Sequence, residues 1–155
     1  MPPLICILFA VFLFADLKPD NVGFTSNGEL KLLDFGLCTC VKSRDRSCAG
    51  YEMTGNTGSL RYMAPEVALR QTYSEKVDVY SYGIMLWQMA SDTVPFQGLT
   101  RDDFMKKVVR GGERPKIPII WPSLFSNLLK ACWNADSKLR PSFETIIARL
   151  EKLMK

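Results

Sequence analysis

The stretch Asp16-Leu17-Lys18-Pro19-Asp20-Asn21, followed by Asp34-Phe35-Gly36, decides how this sequence of 155 residues is interpreted. Residues 22–33, between the two motifs, predict a β-hairpin because an Asn-Gly pair separates two apolar runs. The hairpin presents acidic groups and an amide at its two ends. A site with few protein oxygen ligands suits Mg²⁺, because this ion keeps water and phosphate oxygens in its shell. Asn21 and Asp34 are therefore candidate magnesium ligands.

The same stretch contains the side chains that phosphoryl transfer requires. That reaction needs positioning and charge neutralisation more than covalent chemistry, and Asp16 and Lys18 are a proton acceptor and a cation of suitable type. The sequence contains no histidine, which excludes serine or cysteine hydrolysis built on an imidazole base. A general base must then be a carboxylate, a lysine or a tyrosine. The simpler alternative is that Asp34 only ends a strand.

Three ordered motifs resemble those of eukaryotic protein kinases, namely D-L-K-P-D-N at 16–21, D-F-G at 34–36 and A-P-E at 64–66. The resemblance covers residues 16 to about 154. It implies that Asp16 is the catalytic base, that Lys18 contacts the phosphate of ATP, and that Asn21 and Asp34 bind Mg²⁺. Lysine at position 18 favours serine and threonine substrates. Residues 87–96 are similar to tyrosine-kinase-like serine/threonine kinases.

The resemblance also implies roles for residues outside positions 16–21, the candidate catalytic stretch. Ser59 falls in the substrate-facing loop, and Phe35 and Gly36 complete the metal loop. Asp78 is expected to hold the backbone of the catalytic loop, whereas taken alone it resembles a helix cap. Arg140 is expected to pair with Glu66, whereas taken alone it resembles a solvated surface charge.

The chain departs from the kinase pattern just before Asp16, where Phe14-Ala15 replaces the usual His-Arg. Phe14 is predicted to fill the apolar stack against the phenylalanine of D-F-G. Ala15 cannot pair with a phosphate on the activation loop, so control by phosphorylation is predicted to be weakened. Four loop residues are either regulatory phosphosites or unmodified loop residues: Ser43, Ser47, Thr54 and Thr57.

The predicted fold is mainly α with a small β-hairpin, resembling the large C-terminal lobe of a protein kinase with the small lobe missing. Residues 39–58 predict a long surface loop. Apolar spacing and capping residues predict four helices: Val77 to Ala90, a helix capped by Thr100 and stopped by Gly111-Gly112, Pro122 to Trp133, and one that starts at Ser142.

No glycine-rich loop, strand lysine or partner glutamate occurs before residue 16, and kinases need these groups for turnover. The expected domains are an apolar leader of unclear origin at 1–15 and a partial kinase domain at 16–154. The expected function is transfer of the ATP γ-phosphoryl group to protein serine or threonine, by a truncated chain of doubtful activity when isolated. The alternative is a pseudokinase-like module that docks other kinases or regulators through residues 100–110 and 55–63.

Composition narrows the partners and the location. The net charge of +4 arises from 20 basic and 16 acidic residues spread along the chain, so nucleic acid is not expected as a partner. Five cysteines without a C-x-x-C pair favour reduced thiols in a cytoplasmic protein. The apolar segment Leu4 to Ala15 is too short to span a bilayer and lacks signal-peptide flanks. It predicts a buried helix or strand, with membrane association through residues 4–15 as the alternative.

Overall fold

The computed structural model describes residues 11–41 and 60–154. The predictions for Ser59, for the loop serines and threonines and for residues 1–10 lie outside these ranges. The described strands are β1 (Val11–Leu13), β2 (Val22–Phe24), β3 (Leu30–Leu32) and β4 (Thr39–Val41). The helices are α1 (Pro65–Ala68), α2 (Lys76–Ser91), α3 (Arg101–Asp103), α4 (Ser123–Cys132) and α5 (Phe143–Leu153), with 3-10 helices at Pro19–Asn21 and Ser137–Leu139 and a π-helix at Phe104–Arg110.

The predicted hairpin is confirmed. Strands β2 and β3 are antiparallel, with Val22 opposite Leu32. The turn is closed by a hydrogen bond of 2.9 Å from the Thr25 N–H to the Glu29 carbonyl. Gly28 has a φ of +79°, a left-handed conformation that glycine adopts without a Cβ clash. The hairpin thereby connects residues 16–21 to the D-F-G motif.

A second two-stranded sheet corrects the first three residues of the loop predicted for residues 39–58, and residues 42–58 lie outside the described part of the chain. Thr39–Val41 forms β4, which pairs antiparallel with β1, and Leu13 lies opposite Thr39. The apolar segment that ends at Ala15 therefore enters the fold as a strand over Val11–Leu13. Polar composition favours a loop locally, but pairing between distant strands overrides such local preferences.

Helix α2 is the centre of the helical body and confirms the helix predicted over Val77 to Ala90, with one further residue at each end. Tyr80 and Ile84 are completely buried, as expected for a helix that is apolar nearly all round. The last turn differs, because the Met89 side chain is 61% exposed. Gly83 allows close packing on α4, since a Cβ at this position would lie 2.6 Å from the Cβ of Cys132.

The other three predicted helices begin where the sequence predicts. The Thr100 hydroxyl accepts a hydrogen bond of 3.1 Å from the Asp103 N–H, and Ser142 caps α5 in the same way through Thr145. The helix after Thr100 is α-helical only over Arg101–Asp103 and then continues as a π-helix to Arg110. None of the helices in the described part of the chain is long and apolar enough to cross a membrane.

Candidate active site

Hydrogen bonds join three residues of the catalytic stretch into one network. The Lys18 ammonium lies 2.5 Å from Oδ2 of Asp16, and the Asn21 amide nitrogen donates to the same oxygen at 3.0 Å. Asn21 also donates to the Asp16 carbonyl at 2.8 Å. Proline at the start of the 3-10 helix Pro19–Asn21 fixes the backbone that brings Asn21 back to Asp16. The network orients the Asp16 carboxylate, whose side chain is 20% exposed.

The donor atoms of Asn21 and Asp34 fit a divalent cation. Asn21 is 5% exposed, and its amide nitrogen makes all its side-chain hydrogen bonds within the described ranges, so its carbonyl oxygen keeps its lone pairs. Asp34 uses Oδ1 to accept from the Gly36 N–H at 3.2 Å, which leaves Oδ2. No hydrogen bond joins these two described side chains. The backbone holds them in relation through a bond of 2.8 Å from the Leu33 N–H to the Asn21 carbonyl.

Asp78 of α2 holds the backbone that leads into the catalytic stretch. Its Oδ2 accepts from the Phe14 N–H at 2.8 Å, and its Oδ1 accepts from the Ala15 N–H at 2.9 Å. Burial raises the pKa of the Asp78 carboxyl, although the two N–H donors act in the opposite direction. Ala15 has a φ of +65°, which is uncommon for a residue with a Cβ. The Asp78 hydrogen bonds offset the cost of that conformation.

Phe14 packs against the phenylalanine of the D-F-G motif, as the sequence predicts. The rings of Phe14 and Phe35 meet edge to face, with centroids 5.5 Å apart. Phe14 is buried, whereas Phe35 is 59% exposed. The ring contact is of the kind that stabilises aromatic pairs, and it links the residue before the catalytic stretch to the metal loop.

A buried ion pair joins Glu66 of the A-P-E motif to Arg140. Arg140 donates two hydrogen bonds to the Glu66 carboxylate, at 2.6 and 3.0 Å. The Arg140 guanidinium also lies over the Tyr80 ring, 5.2 Å from its centroid, and Arg114 lies over the same ring at 5.1 Å. Burial raises the pKa of Tyr80 to about 12, with the two arginines opposing the shift. Tyr80 thus connects the ion pair to the segment around Arg114.

Two further contacts join helix α2 to the segment before Ala-Pro-Glu, and neither was predicted from the sequence. The Ser81 hydroxyl donates to the Tyr62 carbonyl at 2.8 Å. The Tyr62 hydroxyl hydrogen-bonds to the Gln88 amide oxygen. Burial raises the pKa of Tyr62, with a nearby Arg61 acting against the shift. Helix α2 therefore fixes both the catalytic backbone and the residues that precede Ala-Pro-Glu.

The protein kinase domain family matches residues 7–150, so the chain belongs to the protein kinase family. The match begins within the segment that the sequence assigned to an apolar leader. Strand β1, which lies inside the matched range, contains no kinase motif, and its place is fixed by pairing with β4.

Curated relatives from a plant and an amoeba are protein kinases. The serine/threonine/tyrosine-protein kinase HT1 of Arabidopsis thaliana is 38% identical over 137 residues, which are 88% of this chain and 34% of that protein. The serine/threonine-protein kinase VIK of the same plant is 41% identical over 147 residues, 92% of this chain and 33% of that protein. A probable serine/threonine-protein kinase of Dictyostelium discoideum, drkD, is 35% identical over 144 residues, 93% and 11% respectively. The chain spans about a third or less of the length of these relatives.

Proposed function

We propose that this chain provides the catalytic residues of a serine/threonine protein kinase, which transfers the γ-phosphoryl group of ATP to a protein hydroxyl. The observation that carries the proposal is the hydrogen-bonded network of Asp16, Lys18 and Asn21, whose Asn21 is joined through its backbone carbonyl to Leu33, the residue before Asp34. Family membership gives the reaction class. The preference for serine and threonine rests on Lys18 and on the names of the relatives.

The hydrogen bonds distinguish the two carboxylate oxygens of Asp16. Lys18 and Asn21 both donate to Oδ2, so Oδ1 is the oxygen that can accept the proton of a substrate hydroxyl. The Lys18 ammonium, held 2.5 Å from Oδ2, adds a positive charge where negative charge develops on the moving phosphoryl group. Positioning and charge are what this reaction asks of a protein.

Asn21 and Asp34 would hold Mg²⁺ through the carbonyl oxygen of the one and Oδ2 of the other. The ion, when bound, would neutralise charge on the phosphate oxygens of ATP. The two-ligand set suits Mg²⁺, because that ion takes its remaining ligands from water and phosphate. The Gly36 N–H holds the Asp34 carboxylate through Oδ1, and glycine suits this position because a Cβ there would lie only 3.1 Å from that oxygen.

The hairpin between these ligands exposes apolar side chains that a nucleotide and a second lobe would cover. Phe24 is 72% exposed, Leu30 57% and Leu33 49%. Apolar side chains so exposed and so close together mark a surface that another molecule or domain covers. We propose that this cover includes the glycine-rich loop, strand lysine and helix glutamate that kinases need.

Calorimetric titration of the purified chain with ATP and Mg²⁺ tests the proposal. We expect binding that requires Mg²⁺ and that Asp34→Ala removes. Asp102→Ala is the matched control, because Asp102 is an exposed carboxylate in the first turn of α3, outside the site. A phosphotransfer assay with serine and tyrosine peptides, and with Asp16→Asn as the inactive variant, then tests the reaction and the choice of hydroxyl.

The outcomes separate catalysis from docking. Binding that survives Asp34→Ala unchanged would show that nucleotide reaches the chain without this metal loop. A folded chain that binds no ATP would refute phosphotransfer by this chain alone and favour the docking module. Equal phosphorylation of serine and tyrosine peptides would remove the substrate preference but not the kinase assignment.

A further inference from the structure

A groove of about 600 Å³ lies between the segment that follows Gly112 and helix α4. Its lining includes two cations and several apolar or aromatic side chains: Arg114, Ile117, Ile119, Trp121, Lys130 and Trp133. None of the catalytic or metal-binding candidates lines it. The groove is therefore a surface with no part in the proposed phosphoryl transfer.

A rigid turn presents apolar side chains at the edge of this groove. The Trp121 N–H donates to the Pro118 carbonyl at 3.1 Å and closes the turn. The two residues at its tip, Ile119 and Ile120, are 99% and 87% exposed. Pro118 has a fixed φ, and Trp121 packs against Phe125 with ring centroids 5.4 Å apart. The isoleucines are thus held out in water on an ordered backbone, which favours a binding surface because little order has to be gained on contact.

The charges around the groove are positive and lack carboxylate partners. Arg114 and Lys130 line it, Lys116 is exposed in the same segment, and none of the three belongs to an ion pair within the described residues. Arg114 is held by the carbonyls of Val108, Glu113 and Trp133, and its guanidinium lies over the Tyr80 ring, so the exposed positive charges of this surface are those of Lys116 and Lys130. No aspartate or glutamate lines the groove. A ligand for this surface must combine apolar side chains with negative charge.

We propose that the groove is a docking site for an extended segment of a partner protein, in which apolar side chains alternate with acidic residues. The apolar side chains would cover Ile119 and Trp121, and the carboxylates would lie near the exposed ammonium groups of Lys130 and Lys116. A second copy of this chain fits less well, because its net charge of +4 repels a like charge. The proposal goes beyond the proposed function, since docking requires neither ATP nor catalysis.

Fluorescence anisotropy with a labelled synthetic peptide tests this site on the complete chain. The probe is a short extended peptide that alternates leucine with glutamate, and the control peptide carries lysine in place of each glutamate. We expect saturable binding of the acidic peptide only. Lys130→Glu should raise its Kd about fivefold or more, because an attraction is lost and a repulsion is added. Ile119→Ser should raise it about tenfold, because apolar contact area is lost.

Matched variants keep the test specific. Lys152→Glu and Ile147→Ser make the same changes on α5, outside the groove, and should leave the Kd unchanged. Phe24→Ser, on the exposed hairpin, should also have no effect. Circular dichroism melting identifies any variant that fails to fold, and the two groove variants act through different forces, so either alone can decide.

Any one of four results would overturn the proposal. The first is no saturable binding of the acidic peptide, and the second is equal affinity for the acidic and basic peptides. The third is loss of binding in Phe24→Ser but not in the groove variants, which would assign the peptide to the hairpin. Sedimentation that shows a dimer dissociated by Ile119→Ser would instead assign the groove to a second copy.

Discussion

Apolar side chains are exposed on the hairpin of β2 and β3 but buried in the helical body around α2. On the hairpin and its D-F-G end, Leu30 and Phe35 are 57% and 59% exposed. In the helical body, Tyr80, Ile84 and Leu128 have no exposed surface. Burial of apolar area stabilises a fold, so the helical body carries the stability of this chain. The hairpin between the candidate metal ligands Asn21 and Asp34, in contrast, exposes apolar surface that gains contacts only when another molecule covers it.

The contrast shows that the helical body holds the candidate site in place. Asp78 and Ser81, both on α2, hold the catalytic backbone and the segment before Ala-Pro-Glu. Substitutions in the body should therefore have large effects on unfolding, and substitutions on the hairpin face should have small ones.

The largest effect should come from breaking the buried ion pair. Arg140→Met keeps the length of the side chain but leaves the Glu66 carboxylate without its partner. We expect a loss of about 4 kcal/mol in the free energy of unfolding, because a buried charge becomes unpaired. Urea denaturation measures the loss. Lys138→Ala, an exposed neighbour, should change the free energy by less than about 0.5 kcal/mol, and an equal effect of the two variants would contradict the prediction.

Alkaline pH should weaken the body through a buried thiol and a buried phenol. Burial raises the pKa of Cys132 from 9.0 to about 12 and that of Tyr80 from 10.0 to about 12. Unfolded chains lose these protons first, so the contribution is complete below pH 9.0 and is lost as pH rises towards about 12. For Cys132 we expect a total loss on the order of 4 kcal/mol across that window. Denaturation of Cys132→Ala should show a shallower pH dependence, and identical slopes would refute the assignment.

Removing the hydrogen bonds between α2 and the backbone of residues 14 and 15 should have an intermediate effect. Asp78→Ala leaves the N–H groups of Phe14 and Ala15 without an acceptor, which we expect to cost about 2 kcal/mol. Asp78→Asn keeps one acceptor oxygen and should lose less. Amide hydrogen exchange should show faster exchange at Phe14 and Ala15 in Asp78→Ala, with α4 unaffected. Unchanged protection at both amides would show that another group holds this backbone.

The smallest effect should come from the hairpin face. Phe24→Ser removes a side chain that is 72% exposed, so we expect a change of less than about 0.5 kcal/mol in the free energy of unfolding. It should also lower the fluorescence of a bound hydrophobic dye, because it removes part of the exposed apolar surface. Leu128→Ala, in the core, is the contrast and should cost about 3 kcal/mol. A large loss of stability in Phe24→Ser would remove the distinction between the two regions.

The sequence predicted the features that depend on neighbouring residues. The hairpin, the Thr100 and Ser142 caps and the course of α2 all follow from local spacing and turn residues. The ring contact of Phe14 with Phe35 followed from the resemblance. Strand β4 and the Tyr80 stack could not be predicted, because both depend on residues far apart in the chain. The roles of Asp16, Lys18, Asn21 and Asp34 stay predictions that rest on motif and geometry.

The hydrogen bonds of Asp78 have a consequence for the order in which the chain folds. Phe14 and Ala15 are separated from Asp78 by 64 and 63 positions. Contacts across such separations close late, since the entropy of a long loop must be overcome first. During synthesis the catalytic backbone therefore has to wait until α2 has left the ribosome. The candidate catalytic residues are made early in this range and reach their final geometry only after the helical body has formed.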